Sequence, residues 1–339
     1  MPRLPAVKRF VSDTGVRVYR IACEVMPMLT GRVYLLLGAG PPTLVDSGSG
    51  SGPSTAQILD GLQSVRIDFA ERVRPGDIQR ILLTHAHLDH IGGLAELVRA
   101  TGAQVGVHPL DSRIVSAYNE RAAVSNRAFD RFLRQAGVEA ERRAKVLGGL
   151  GYTPDRVRSV RVDFPLRDGE ELDGLRFIHT PGHSPGHVCI AAGDVLLAGD
   201  HVLARTLPQQ WPESVAAYTG LGHYFDSLDK IERWGGIGTI LGGHEPPIRN
   251  VGHRIYEIRK SHHRRLDRLL ELLRASPRPL SIAEITERMY GRPEGFYAML
   301  ALSDVGARVE YLDQRGELGV ADFDDFGSEE GPVYRYRPA

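Results

Sequence analysis

The stretch Thr84-His85-Ala86-His87-Leu88-Asp89-His90 follows directly on the apolar run Ile81-Leu82-Leu83. It constrains the chain more than any other feature. A short run of β-branched and aliphatic residues reads as a buried strand, so the cluster sits at a strand end. In extended backbone, residues two apart point the same way, and His85 and His87 can reach one ion together. Asp89 and His90 come where the chain turns into a helix and can face a second ion. Imidazole and carboxylate suit zinc, and also iron or manganese.

Three further segments share this form, a strand end followed by glycine and a potential ligand. They are Thr180-Pro181-Gly182-His183-Ser184-Pro185-Gly186-His187, Leu197-Ala198-Gly199-Asp200-His201 and Leu241-Gly242-Gly243-His244-Glu245-Pro246. Glycine lets the backbone turn sharply there. A single aspartate placed between two cations can bridge them with its two oxygens. Five of the 13 histidines fall in 85–90 and 183–187, a density that isolated surface or core histidines do not produce.

The bulk properties exclude other classes. The 339 residues are 42% hydrophobic and 25% charged, as in folded globular chains and unlike disordered ones. Lys+Arg and Asp+Glu both total 42, so no global positive field draws the chain to nucleic acid or an anionic membrane. Two cysteines, Cys23 and Cys189, cannot build a disulfide framework. No apolar run reaches the roughly 18–20 residues of a membrane span, and Met1-Pro2-Arg3-Leu4-Pro5 lacks a signal-peptide core. A cytoplasmic location is expected.

Strands alternating with helices over residues 16–250 predict an α/β architecture. Strands are read at Val16–Ile21, Val33–Leu37, Thr43–Val45, Gln104–Val107, Leu175–Ile178 and Val188–Ala191. A helix is expected to start at Ser54, with Ser54 as its cap. Residues 110–160 interrupt the rhythm. They are helical in composition, with Phe129, Phe132, Leu133 and Ala136 at i, i+3, i+4 and i+7, and carry ten Lys and Arg against six Asp and Glu. They are read as a helical cap insert, with an arginine-lined anion site as the sharper alternative. The composition changes after residue 252. A catalytic domain over 1–252 is therefore expected to precede a C-terminal domain over 253–339, with helices at Ile255–Leu273, Ile282–Tyr290 and Phe296–Leu312 and a terminal strand.

Together HxHxDH, PGHSPGH, AGDH and GGHEP resemble the metallo-β-lactamase-fold hydrolase superfamily over residues 16–250. The resemblance implies a four-layer αββα sandwich. It implies a first metal site of His85, His87 and His183 and a second of Asp89, His90 and His244, with Asp200 bridging. Asp46 matches an aspartate that this superfamily keeps behind the metals. Asp200 stands where zinc β-lactamases often have cysteine, and His87 where flavodiiron proteins have glutamate. Persulfide dioxygenases use one iron and fewer ligands. The pattern that remains is similar to hydroxyacylglutathione hydrolases and other thioesterases.

The chemistry this implies uses two divalent ions, expected to be Zn²⁺ with Fe or Mn as alternatives, roughly 3.5–4 Å apart and sharing a water whose pKa falls from 15.7 to about 7. Bridging hydroxide would attack a thioester of coenzyme A or glutathione type, with Asp89 both binding and orienting. His187 is expected to support the site by a hydrogen bond rather than as a ligand. His201, His223 and Tyr224 are candidate pocket residues, and His262 and His263 are read as a solvated helix face. The tail from residue 253 is similar to the winged-helix-like extension of one branch, some members of which act on RNA. A single-strand endoribonuclease or phosphodiesterase is therefore the rival function, and a binding protein without turnover a third. From Arg264 onward 14 Asp and Glu face 11 Arg, a poor surface for phosphates. The tail is read as a packing module or homodimer contact.

Overall fold

Val18, Arg20 and Ala22 alternate with Tyr19, Ile21 and Cys23 along one strand, and a strand with apolar residues on both sides must be covered on both faces. A computed structural model describes residues 4–27, 29–149, 156–324 and 332–339. It carries a first mixed sheet of β1 (Lys8–Val11), β2 (Arg17–Met26), β3 (Leu29–Leu37), β4 (Thr43–Val45), β5 (Arg80–Leu82), β6 (Gln104–Val107) and β7 (Phe164–Pro165), in that spatial order. The meander β1 to β4 is antiparallel, and β4 to β7 are parallel. A second sheet holds β8 (Glu171–Leu172), β9 (Leu175–His179), β10 (Val188–Ala192), β11 (Val195–Gly199) and β12 (Thr239–Gly242), ordered β12-β11-β10-β9-β8.

The two sheets close on one apolar core. Val18, Tyr34, Leu36, Val45 and Leu82 from the first meet Phe177, Val188, Ile190, Leu197 and Leu241 from the second. Each such aliphatic side chain contributes about 1.5–3 kcal/mol by leaving water. The outer side of β2 is covered by α1 (Ser54–Asp68). Ser54 does not cap that helix as expected. Pro53 holds the cap position, and the Ser54 hydroxyl instead accepts from Ser49 N at 3.2 Å. Then come α2 (Leu88–Ile91), α3 (Leu94–Thr101) and α4 (Pro109–Ser116).

The remaining helices are α5 (Tyr118–Gln135), α6 (Ala140–Gly149), α7 (Leu221–Trp234), α8 (Val251–Arg274), α9 (Ile282–Tyr290) and α10 (Gly295–Gln314). The chain divides into two compact units. One comprises residues 1–119, 154–208 and 227–255, and contains both large sheets; the other comprises 120–153, 209–226 and 256–339. The second unit carries a small antiparallel sheet, ordered β13 (Leu280–Ser281), β15 (Val333–Pro338), β14 (Leu318–Asp324). Within the acidic stretch at 322–330, the residues from 325 on lie outside the described ones.

In this second unit Phe129 stacks on Phe132 at 5.8 Å and meets Trp211 at 5.4 Å, and Leu133 is fully buried. The insert's surplus cations are partly consumed locally: Arg134 and Arg143 reach Asp130, and Arg142 reaches Glu287 at 2.7 Å. His262 departs from the solvated face expected of it. It is completely buried, its ring 5.4 Å from Tyr224, with Arg308 at 3.3 Å from its Nδ1. Helical spacing places residues on faces but does not say which face another segment will cover.

The start of α9 is a capping box. Ser281 Oγ accepts from Glu284 N at 3.3 Å, and Glu284 Oε2 accepts from Ser281 N at 2.8 Å. Burial opposes ionisation of Glu284, but Arg278, the Ser281 amide and Arg335 outweigh it and bring its pKa down to about 2. A depressed carboxylate stabilises the fold above its unfolded pKa. That contribution is lost as pH falls from about 4.5 through about 2. Glu284→Gln should flatten this acid limb of the denaturation midpoint, and Ser281→Ala should cost about 1 kcal/mol by urea unfolding at pH 7. Among the described residues no helix is long and apolar enough to cross a membrane.

Candidate metal centre

The strand ends of the first unit bring the motif residues together. His85, His87 and His183 place one nitrogen each within a sphere where all lie within 4.8 Å of one another, and one donor atom each of Asp89, His90, Asp200 and His244 does the same. The extended backbone at His87, which precedes α2, sends His85 and His87 to one side, with His85 Nε2 3.0 Å from His87 Nδ1. Asp89 and His90 occupy the first turn of α2. The Asp200 carboxylate lies between the two groups. Its Oδ2 is 3.8 Å from His183 Nε2 and 3.2 Å from His244 Nε2, and its Oδ1 is 3.6 Å from His90 Nε2.

Partners behind these side chains fix their rings. Asp46 accepts from Thr84 N at 2.8 Å and takes His90 Nδ1 at 2.8 Å, and Thr84 Oγ1 lies 3.0 Å from His85 Nδ1. His244 Nδ1 donates to Thr30 O at 3.2 Å. With its Nδ1 donating, each of His90 and His244 presents Nε2 to the carboxylates. His187 is fully buried, its ring 5.1 Å from that of His85, and it is not one of the three clustered donors. Its Nδ1 meets Thr180 Oγ1 at 2.8 Å, and its Nε2 accepts from Asp200 N at 3.2 Å. His201 is also fully buried, its ring 5.9 Å from that of His187. His223 pairs with Glu213 at 3.0 Å in the second unit, where Tyr224 is fully buried. Cys189 is buried, and burial pushes its thiol up to about 12.

The electrostatics divide the site. Burial, followed by the neighbouring imidazoles, lowers His85 well below its usual value and His87 to about 3, so both are neutral. Burial acts the same way on His90, but Asp46, Asp89 and Asp200 overcome it and hold its pKa well above normal. His244 rises to about 10, chiefly against Asp200. Burial would raise Asp89 and Asp200, yet the facing histidines keep both below the ordinary carboxylate range. Neutral imidazoles and ionised carboxylates are the ligating forms. Among the described residues His90 Nε2 and Asp200 Oδ1 are shut from solvent without a hydrogen-bond partner, a cost of about 1–3 kcal/mol each that a cation between them removes. The donor set fits divalent transition metals.

Sequence comparison agrees with this geometry. The model of the metallo-β-lactamase superfamily matches residues 27–272. The chain belongs to the metallo-β-lactamase superfamily. A β-lactamase-like protein 2 homolog of Drosophila melanogaster is 25% identical over 355 residues, which span 100% of this chain and 99% of that one. The hydroxyacylglutathione hydrolase GloC of Haemophilus influenzae is 29% identical over 135 residues, 36% of this chain and 52% of that enzyme. Among solved structures, a metallo-β-lactamase family protein of Thermus thermophilus is 28% identical, with a TM-score of 0.72 over 95% of this chain and 98% of that one. The superfamily membership makes the chain a metal-dependent hydrolase with a His/Asp cluster, on the expected mixed α/β fold.

Sequence reasoning passes over His108, Asp111 and His179. By composition Asp111 counts only as one charge of a basic insert. Its signal is positional: it falls in the first turn of a helix directly after β6, the same kind of strand end that carries the motif residues.

Proposed function

We propose that this chain is a dinuclear hydrolase of thioesters, with His85, His87 and His183 holding one ion, Asp89, His90 and His244 the other, and Asp200 shared. The observation that carries the reading is the position of the Asp200 carboxylate, within 3.8 Å of donors from both groups. When bound, two divalent cations supply an acidified water and a Lewis acid for the carbonyl oxygen. Zn²⁺ is the expected metal, and Fe or Mn suit the same donors.

The protein's own groups do the rest. Asp89 is the more exposed carboxylate of its group, its side chain 18% accessible against 11% for Asp200, and its free oxygen is available to orient the attacking water. Asp46 and Thr30 keep His90 and His244 from rotating. Support for a thioester comes from what lies around the donors. His187, the nearest histidine outside both groups in the motif, already has both ring nitrogens engaged. A thiolate departs without a proton, whereas an alkoxide leaving a phosphodiester needs one. The likeness to the hydroxyacylglutathione hydrolase of Haemophilus supports the same substrate class. An anionic carrier such as coenzyme A or glutathione is the proposed thiol. The order α8, β13, α9, α10, β14, β15 supports a winged-helix-like reading of the C-terminal segment, whose acidic balance favours packing or self-association over nucleic acid. The proposed setting is the cytoplasm.

The test is a parallel assay. Protein loaded with Zn²⁺, Fe²⁺ or Mn²⁺ is given acyl-CoA and acylglutathione panels, with free thiol measured, and single-stranded RNA beside them. Chelator-sensitive thiol release is expected. RNA cleavage without thiol release transfers the assignment to the ribonuclease reading, and metal analysis showing one ion per chain or fewer in fully loaded protein refutes the dinuclear centre.

A further inference from the structure

Asp111 is a fully buried carboxylate that faces no cation among the described residues. Its Oδ2 accepts from Ala86 N at 2.9 Å, and its Oδ1 accepts from Gly186 N at 2.9 Å. Ala86 stands between His85 and His87, and Gly186 between His183 and His187. One carboxylate therefore ties together the two loops that deliver the three-histidine group. The fit leaves no room for a side chain at 186. A Cβ there would lie 2.5 Å from Asp111 Cγ, which gives the second glycine of PGHSPGH a steric reason.

The helix that carries Asp111 is itself seated on the same loop. His108 caps α4, its Nδ1 accepting from Leu110 N at 3.3 Å, and its ring stacks on His179 at 3.9 Å and 9°. His179 Nε2 donates to Pro185 O at 2.8 Å. The start of α4 thus reaches the 179–186 loop through the His179 ring and the Gly186 amide. The four-donor group is held by other means, through Asp46 on His90 and Thr30 on His244. Burying an unpaired carboxylate is costly, and burial alone lifts Asp111 to about 6 against the pull of its two amide donors. Both donors lie on the metal loops, so that cost is spent on loop position.

We propose that Asp111 is the positioning residue of the three-histidine half of the metal centre, setting the spacing of His85, His87 and His183 without touching substrate. This rests on the dinuclear reading above. Asp111→Asn keeps the shape but turns an N–H donor toward one of the two amides. Gly186→Ala keeps the Asp111 carboxylate but forces it away from the loop. Metal-free wild type and both variants are titrated with Zn²⁺ against a chromophoric chelator, with His183→Ala marking which equivalent belongs to the three histidines.

The expected result is a roughly 10–100-fold weakening of that one equivalent in both variants, with the other unchanged. Two wild-type equivalents in both variants, or equal loss at both, overturns the proposal. If Asp111→Asn does not fold, Gly186→Ala decides alone by the same criterion. A wild type that binds only one equivalent refutes the dinuclear reading instead, and is distinguishable because no variant enters that measurement.

Discussion

Asp89→Ala is expected to lower thioester turnover by roughly 10³–10⁴-fold, mostly in kcat. Asp89 Oδ2 lies 3.2 Å from His244 Nε2 and 3.8 Å from His90 Nε2, so it closes one side of the four-donor group. Alanine removes one of the two carboxylates in that group and the oxygen proposed to orient the water. Among the described residues the ion pairs of Asp89 go to His90 and His244 and none to His85, His87 or His183, so the three-histidine group should keep its ion. The measurement is kcat and KM on a responsive thioester, with metal content determined on the same sample. A variant that retains more than a tenth of wild-type kcat at full metal content would sink the role given to Asp89.

Gly92→Ala should destabilise the fold by about 3–5 kcal/mol, at the extreme for a single methyl group. A Cβ at 92 would lie 1.9 Å from Ser49 O and 2.8 Å from Leu88 O. Both are backbone atoms and cannot swing aside as a side-chain tip can. The same loop holds the site: Ser47 N donates to His90 O at 2.8 Å, Ser47 Oγ donates to the same carbonyl at 2.6 Å, and Asp46 takes His90 Nδ1. Pushing residues 46–50 off α2 therefore reaches the metal donors as well as the core. Gly76→Ala is the control, since nothing lies within 4 Å of its added Cβ, and a change within about 0.5 kcal/mol is expected. Urea midpoints of the three proteins decide the matter, and equal midpoints for Gly92→Ala and wild type would refute the close approach.

The legible parts of this sequence are those where a local pattern carries its own geometry. Ile282–Tyr290 coincides with α9 because a capping serine, an N3 glutamate and a terminal glycine bracket the helix. Less legible are segments whose state depends on a distant neighbour. Lys8–Val11 and Leu318–Asp324 are strands although neither has a clean alternation; each is held by pairing, with β2 and with β15. Helix α7 begins at Leu221, a boundary that tertiary packing sets and local propensity does not.

The chemistry available here is written in the local sequence: histidines and aspartates at four strand ends, three of them directly after glycine, in a spacing that identifies the superfamily. A donor type and its local backbone are properties of a few adjacent residues. Long-range packing settles which donors share an ion-sized space, that Asp200 stands between both groups, that His262 is interior, and that Asp111 joins two loops, one of them 75 residues further along the chain. Those are facts of convergence: the donors and Asp111 meet where two sheets close on one core and carry their ends together, and His262 is covered by residues of the second unit such as Tyr224 and Arg308.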